Sequence, residues 1–193
     1  MKLDKLPIAL EAKLTTIPHN LFRDNQPNFE DVEKRPRMPV VVLLDNIRSM
    51  FNVGSIFRTS DGVWLEEIII TGYTACPPRK EIAKTSLGSE YSVPWRYIPD
   101  AEKAILSLKR RGYTIIALEH TTKSQSYVEV EYDFPLVFLV GNEGVGLQDE
   151  LVALCDFAVE IPQYGLKSSL NVATAFGVMA YEFRRQWDIR RPR

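Results

Sequence analysis

The chain has 193 residues, 45% of them hydrophobic and 25% charged, enough for one domain with a true core plus short extensions. Its 24 Lys and Arg against 25 Asp and Glu give a formal net charge of -1. That excludes a protein that coats nucleic acid by bulk charge but leaves room for a local basic patch. Cys76 and Cys155 lie far apart and outside any metal-binding spacing, so they read as reduced thiols with no metal site. Met1 precedes a mixed-charge segment, and no apolar run reaches membrane-spanning length, so the expected location is cytoplasmic, away from membranes.

Residues 1–38 read as an N-terminal extension. Ile8–Leu14 suits a short helix, and the run from His19 through EDVEKRPR reads as an extended arm. His19 has no partner at ligand spacing and reads as a surface histidine; the other histidine is His120. Pro39 opens a strand, Val40–Asp45, whose continuous apolar run suits burial on both faces. Asn52 is placed to cap a short helix with Val53, Ile56, Phe57 and Ser60 on one face and its end at Gly62. A strand at Glu67–Thr71 then completes a βαβ unit.

Gly72–Pro99 reads as loop-rich, with a short helix and a strand at Ser92–Tyr97. Asp100 caps a helix that carries Ala101, Ala104, Ile105 and Leu108 on one face and stops at Gly112. Strands at Thr114–Glu119 and Phe134–Val140 flank a polar loop, and a glycine loop (Gly141–Gly146), a short helix (Gln148–Cys155) and a last strand (Phe157–Ile161) follow. Pro162 and Gly165 break that strand, and Ser168 or Ser169 offers an N-cap for a final helix. From Val172 to Tyr181 this helix is apolar almost all round, which predicts burial on every side, in a deep core or against a partner subunit. The alternation of strands and helices predicts an α/β domain over residues 39–187, a mostly parallel sheet flanked by helices, with a basic tail at 188–193. The tail's arginines and Trp187 suit either a solvated helix end or contact with RNA.

Three stretches carry chemistry. Asn52, Gly54, Ser55 and Arg58 put an amide, a close-approach glycine and a guanidinium at a helix start, a setting for a phosphate or for a plain surface salt bridge. The loop GNEGVG lacks the Lys-Ser/Thr of a P-loop and the glycine order of a dinucleotide fingerprint. Glu160 stands where a ribose-binding acid would be expected, but too little chain follows it for a dinucleotide domain. Glu143, inside the loop, is either a ligand-facing acid or a partner for backbone donors. In the third stretch Ser169 and Asn171 sit at the mouth of the final helix, where free N–H groups and the positive dipole end lie.

Taken jointly, NxGxxxRT (Asn52–Thr59), GNEGxGL (Gly141–Leu147) and IPxxGxxSSLNVATA (Ile161–Ala175) resemble the SpoU-type branch of the SPOUT superfamily, the tRNA and rRNA ribose 2'-O-methyltransferases. The resemblance spans about residues 38–187 and implies a C-terminal trefoil knot, a rare exception to unknotted topology. It also implies S-adenosylmethionine as cofactor, an RNA substrate and a homodimer with the active site near the subunit interface. Carried over by position, the cofactor-binding residues are Leu118, Glu119, Gly141, Asn142, Gly146, Ile161 and Leu170. The catalytic set is Arg58, Asn52, Glu143, Ser169 and Asn171, with Arg58 the family's candidate for activating the 2'-hydroxyl. An arginine stays charged, so charge stabilisation and positioning fit it better than proton abstraction.

Two departures from the family stand out: residues 1–38 are too short for the separate RNA-binding domain of many relatives, and net charge is near zero. RNA capture is then expected from Arg48, Arg58, Arg79, Lys80, Lys84, Lys167 and the arginine tail. The competing readings are a knot protein that only binds RNA, a base-methylating SPOUT enzyme, and a Rossmann-type oxidoreductase. The first should lack Arg58 or Asn171, and both are present; the last needs a first-strand fingerprint that is absent.

Overall fold

The computed structural model describes residues 29–190 and, apart from them, Thr16. The expected Ile8–Leu14 helix and His19 lie outside the described residues. The chain divides into two units, Met1–Pro36 and Arg37–Arg193. In the first, Phe29–Glu33 forms a short helix, α1, where an extended arm was expected; Glu30 and Asp31 in its first turn complement the positive helix end.

The second unit is built on a seven-stranded sheet in which every pairing is parallel. Its strands are β1 (Met38–Asp45), β2 (Leu65–Thr71), β3 (Trp95–Tyr97), β4 (Thr114–Leu118), β5 (Gln125–Ser126), β6 (Leu136–Val140) and β7 (Phe157–Glu160), in the order β3-β2-β1-β6-β4-β7-β5. β5 lies within what the sequence presents as a polar loop. It is two residues long and polar, so no apolar run announces it.

The helices are α2 (Met50–Val63), α3 (Lys80–Ser86), α4 (Ala101–Arg110), α5 (Asp149–Val152) and α6 (Val172–Arg190). Residues of β1 alternate between two cores. Val40, Val42 and Leu44 pack with Val53, Ile56 and Phe57 of α2, Ile82 of α3 and Phe176, Met179 and Phe183 of α6. Val41 and Leu43 pack with Ala104, Ile105 and Leu108 of α4 and Leu151 of α5. Burial on both faces is why the central strands read as unbroken apolar runs.

Helix ends depart from the sequence expectations in informative ways. Ser49, not Asn52, caps α2: its Oγ accepts from the Asn52 N–H, which leaves the Asn52 side chain free for another task. α2 runs past Gly62 to Val63 and closes on Trp64 in the left-handed region at φ 55. Gly62 instead makes room for Tyr181, whose Oη would lie 3.2 Å from a Cβ there. Neither Ser168 nor Ser169 caps α6. Asn171 does, its Oδ1 accepting from the N–H groups of Ala173 (3.0 Å) and Thr174 (3.3 Å). Asp100 caps α4 as expected.

Within one chain α6 is not buried on all sides, which overturns the deep-core form of the expectation. Ala175, Phe176, Met179, Ala180, Phe183 and Gln186 are buried, whereas Ala173, Gly177 and Val178 are half-buried and Tyr181 is exposed. The helix also absorbs residues 188–190 of the expected tail.

Candidate active site

In open parallel sheets, ligands bind beyond the carboxyl ends of the strands where the strand order reverses. Here the chain runs outward from β1 through β2 to β3, then returns to build the other half, so the reversal falls at β1 and β6. Beyond β6, β4 and β7 lies a cavity of about 390 Å³, within the range of small-molecule pockets. Its walls come from residues 118–120, 140–146, 160–161 and 169–172, together with Gln163 and Ala175.

Two glycines permit this arrangement. A Cβ on Gly141 would come within 2.5 Å of the Gly146 carbonyl carbon and the Leu147 nitrogen, both backbone atoms. Gly146 has φ +72, and a Cβ there would meet Glu119 Oε2 at 2.3 Å. The Glu119 carboxylate accepts from the N–H groups of His120 (3.0 Å) and Leu147 (2.9 Å), tying the end of β4 to the glycine loop. Asn142 is buried and fully occupied: its Nδ2 donates to Asn46 O (2.9 Å) and Tyr73 Oη (2.7 Å), and its Oδ1 accepts from the N–H groups of Gly144 and Val145. Its oxygen shapes the glycine loop and its nitrogen ties that loop to Asn46 and Tyr73, which leaves the amide no donor to spare.

Glu143 connects this loop to α2. Its Oε2 accepts from the Arg48 N–H (2.8 Å), and its Oε1 accepts from the Ser49 N–H (3.0 Å) and Asn52 Nδ2 (2.8 Å). The positive start of α2, which the sequence offered to a phosphate, is thus occupied by the protein's own carboxylate. Partial burial alone would raise the Glu143 carboxyl, but hydrogen bonds from Arg48, Asn52 and Ser49 outweigh it and hold it below its ordinary value. Asn52 Oδ1 in turn accepts from Asn171 Nδ2 at 3.1 Å. One hydrogen-bonded chain, Glu143–Asn52–Asn171, therefore joins the three sequence stretches. Gly54 plays a different part from the one its sequence position suggested: a Cβ there would strike Ile82 O (2.3 Å) and Thr85 Oγ1 (2.2 Å), so it serves close packing of α2 on α3 rather than approach to a ligand.

Of the expected site residues, Leu118, Glu119, Gly141, Asn142, Glu143, Gly146, Ile161, Ser169, Leu170 and Asn171 all line the cavity. Asn52 reaches it through Glu143 and Asn171. Arg58 does not line it; it is exposed on α2 with no hydrogen bond or ion pair among the described residues. Sequence reasoning gave His120 no role of its own, only a place in the strand end at 117–120 that the family resemblance puts in the pocket. Its Nδ1 lies 3.2 Å from Glu160 Oε2 and its Nε2 3.2 Å from Ser168 O. Both partners are acceptors, so only the doubly protonated ring donates to both. Hydrogen bonds from Ser124 and His120 hold the Glu160 carboxyl below its ordinary value.

The cations divide into two groups. Arg48, Arg58, Arg79, Lys80 and Lys84, on or beside α2 and α3, have no side-chain partner among the described residues. The arginines of α6 are engaged: Arg184 with Asp188 (2.9 Å), Arg185 with Glu182 (2.6 Å) and Arg190 with Asp133 (3.5 Å). Trp187 packs edge-on against Phe134 at 5.1 Å between ring centroids, so its ring is committed to the fold. Free cations thus cluster on and beside α2 and α3, Lys167 in the loop before α6 is exposed without a side-chain partner among the described residues as well, and the described part of the tail is structural.

A parallel α/β sheet with a glycine-lined pocket at its strand reversal, closed by a C-terminal helix, defines a class of ligand-binding α/β enzyme domain. The SpoU rRNA methylase family model matches residues 39–181, and the chain belongs to that family. A tRNA (guanosine(18)-2'-O)-methyltransferase of Thermus thermophilus is 36% identical over 158 residues, covering 82% of this chain and 80% of that protein. The protein of the same name from Aquifex aeolicus is 34% identical over 161 residues, 81% of this chain and 74% of its own length. Among solved structures, the A. aeolicus TrmH/SpoU tRNA modifying enzyme superposes with a TM-score of 0.77 at 30% identity, covering 84% of this chain and 82% of that one. An AdoMet-bound rRNA methyltransferase from Sinorhizobium meliloti gives 0.70 at 30% identity; the match covers 79% of this chain and only 61% of that one.

Proposed function

We propose that this protein transfers a methyl group from S-adenosylmethionine to a ribose 2'-hydroxyl of tRNA or rRNA, working as a homodimer. The observation that carries the reading is the Glu143–Asn52–Asn171 chain, which gathers three separate sequence stretches at the rim of one pocket. The pocket suits the cofactor. Leu118, Val140, Ile161 and Leu170 give it apolar walls, and Gly141 and Gly146 keep its backbone open to a close-lying ligand. In this reading residues 161–171 pass through the preceding loops as the knotted segment, and the close passage at Gly141 and Gly146 fits such a crossing.

When bound, S-adenosylmethionine supplies an electrophilic methyl on a sulfonium sulfur, which leaves as a neutral thioether. The attacking 2'-hydroxyl must lose its proton as the new O–C bond forms, and with no effective base offered by Arg58 or Glu143 that proton passes to solvent water at the open rim. Arg58 keeps its charge at neutral pH and stabilises the negative charge growing on that oxygen. Glu143, held ionised by three donors, is a poor proton acceptor and acts by positioning Asn52 and the start of α2. Asn52 and Asn171 hold the rim that receives the ribose. Arg58 lies outside the pocket lining of its own chain, which supports a site completed at a subunit interface. A base-methylating enzyme of the same fold is the nearest alternative; relatives named as 2'-O-methyltransferases favour ribose.

The test is transfer of labelled methyl from S-adenosylmethionine to total tRNA and rRNA, by wild type and Arg58→Ala, with nuclease mapping of the product. Ribose methylation that falls at least about 10²-fold in the variant, with cofactor affinity unchanged, is the expected result. Methyl recovered on a base would move the assignment to the alternative.

A further inference from the structure

A second concavity, of about 580 Å³, lies beside the first along the same edge of the sheet. The β2–α3 loop from Gly72 to Arg79 lines it, with Met50 and Tyr97. Tyr73 is 64% exposed and Tyr97 46% exposed, yet both hydroxyls are tied. Tyr97 Oη donates to Gly72 O (2.8 Å), and Tyr73 Oη accepts from Asn142 Nδ2 (2.7 Å). The loop beneath is fixed as well: the Tyr73 N–H donates to Asn46 Oδ1 (3.1 Å), and Thr74 Oγ1 donates to Leu44 O while accepting from the Ile47 N–H. Exposed side chains with tethered tips on a braced loop form a preorganised aromatic platform, which lowers the ordering cost of binding.

Its charge is one-sided. Arg79 is exposed with no hydrogen bond or ion pair to its side chain among the described residues, and no carboxylate among them lines the concavity. Fixed aromatic surfaces beside a free guanidinium are the elements that hold an unpaired nucleotide, the ring against the base and the cation against its phosphate. We propose that this concavity binds an unpaired nucleobase of the RNA substrate, stacked on Tyr73 and Tyr97 with Arg79 on the adjoining phosphate. The proposal rests on the RNA methyltransferase reading and adds to it the place where RNA sequence or shape is read. The ends of β2 and β6 are separated by β1 alone, so the near edges of the two concavities lie about two strand spacings apart, roughly 10 Å. The base held here therefore belongs to a nucleotide near the methylated one, in a loop or bulge rather than a duplex. Asn142 links the two sites, since it shapes the glycine loop and holds Tyr73.

The test uses the full chain and single-stranded RNA carrying 2-aminopurine, with methyl transfer to total tRNA and rRNA measured in parallel. Stacking should quench the 2-aminopurine. Tyr97→Ala should abolish the quenching and weaken RNA binding at least about fivefold, and Tyr97→Phe, which keeps the ring but loses the tether to Gly72 O, should keep the quenching with a smaller loss of affinity. Arg79→Ala should flatten the salt dependence of binding by about one counterion. Normal methyl transfer without quenching, or an unchanged KM for RNA in Tyr97→Ala, would overturn the subsite and leave the enzyme reading standing. Quenching lost in Tyr97→Ala without methyl transfer by the wild type would support the subsite and sink the enzyme reading. Absence of both would sink the two together.

Discussion

Asn171 Nδ2 donates to Asn52 Oδ1 at 3.1 Å, joining positions 119 residues apart in the chain. Each amide is already committed at its other end, Asn52 Nδ2 to Glu143 and Asn171 Oδ1 to the first N–H groups of α6. The start of α2, the glycine loop and the start of α6 are thus set relative to one another by two side-chain amides and one carboxylate. That rim is where the ribose is proposed to sit.

Asn52→Ala removes the middle of the chain. One donor to Glu143 and one acceptor for Asn171 disappear, but both partners are accessible and water can replace it, so the stability loss should stay near 1 kcal/mol. The effect on catalysis should be larger, about 10²-fold in kcat, because a displaced rim misplaces the ribose. Steady-state kinetics beside thermal unfolding would separate the two. Equal losses in stability and rate would reduce Asn52 to a structural role.

Glu143 makes the rim sensitive to acid. Its folded-state carboxyl is held below the ordinary 4.5, so its contribution is fully present above that value and is lost as pH falls through the lower folded value. Glu143→Gln loses this contribution and sets an amide NH₂ near the donor N–H groups of Arg48 and Ser49. The melting temperature of the variant should lie below that of wild type at neutral pH, and the gap should narrow below pH about 4.5. A gap that stays constant to pH about 3 would show that the charge of Glu143 does not matter. The side chain is exposed, so the whole effect should also shrink with added salt.

The glycine loop makes a graded prediction. Gly141→Ala brings a Cβ within 2.5 Å of backbone that cannot swing aside, and a cost of about 1–3 kcal/mol is expected together with loss of S-adenosylmethionine binding by calorimetry. Gly144→Ala meets only Asn142 Oδ1, at 3.4 Å, and should bind cofactor almost normally. Equal tolerance at both positions would mean the loop is looser than its packing indicates.

How far the sequence could be read depended on the range of the interactions. The central strands were legible because burial on two faces leaves unbroken apolar runs such as Val40–Leu44, and α4 because Asp100 and its apolar spacing are local signals. The helix caps were not. Asn52 and Ser168 look like caps from their neighbours alone, but the Asn52 side chain is claimed by Glu143 and Asn171 from remote positions, while Ser49 and Asn171 do the capping. Gly54 and Gly62 likewise answer to Ile82, Thr85 and Tyr181, which no local window contains. Ten of the twelve expected site residues line the cavity, eight of them inside the recognised motifs and Leu118 and Glu119 carried over beside them; His120 was given no role beyond a place in the strand end at 117–120, and Tyr73 belongs to none of those stretches.

Gly177 bears on the proposed dimer. It sits inside α6, where glycine costs about 1 kcal/mol relative to alanine, and its backbone needs no positive φ. A Cβ there would meet nothing within 4 Å among the described residues, so the described fold of one subunit gives no reason for the residue. Close approach of a second subunit to this half-buried face, beside Val178 and Tyr181, would give one. Gly177→Arg should therefore fold at least as well as wild type by circular dichroism, yet sediment as a monomer and lose methyl transfer. Retention of a dimer by the variant in analytical ultracentrifugation would place the interface elsewhere. A wild type that sediments as a monomer while still methylating RNA would remove the partner subunit from the mechanism and require Arg58 to reach the ribose from its own chain.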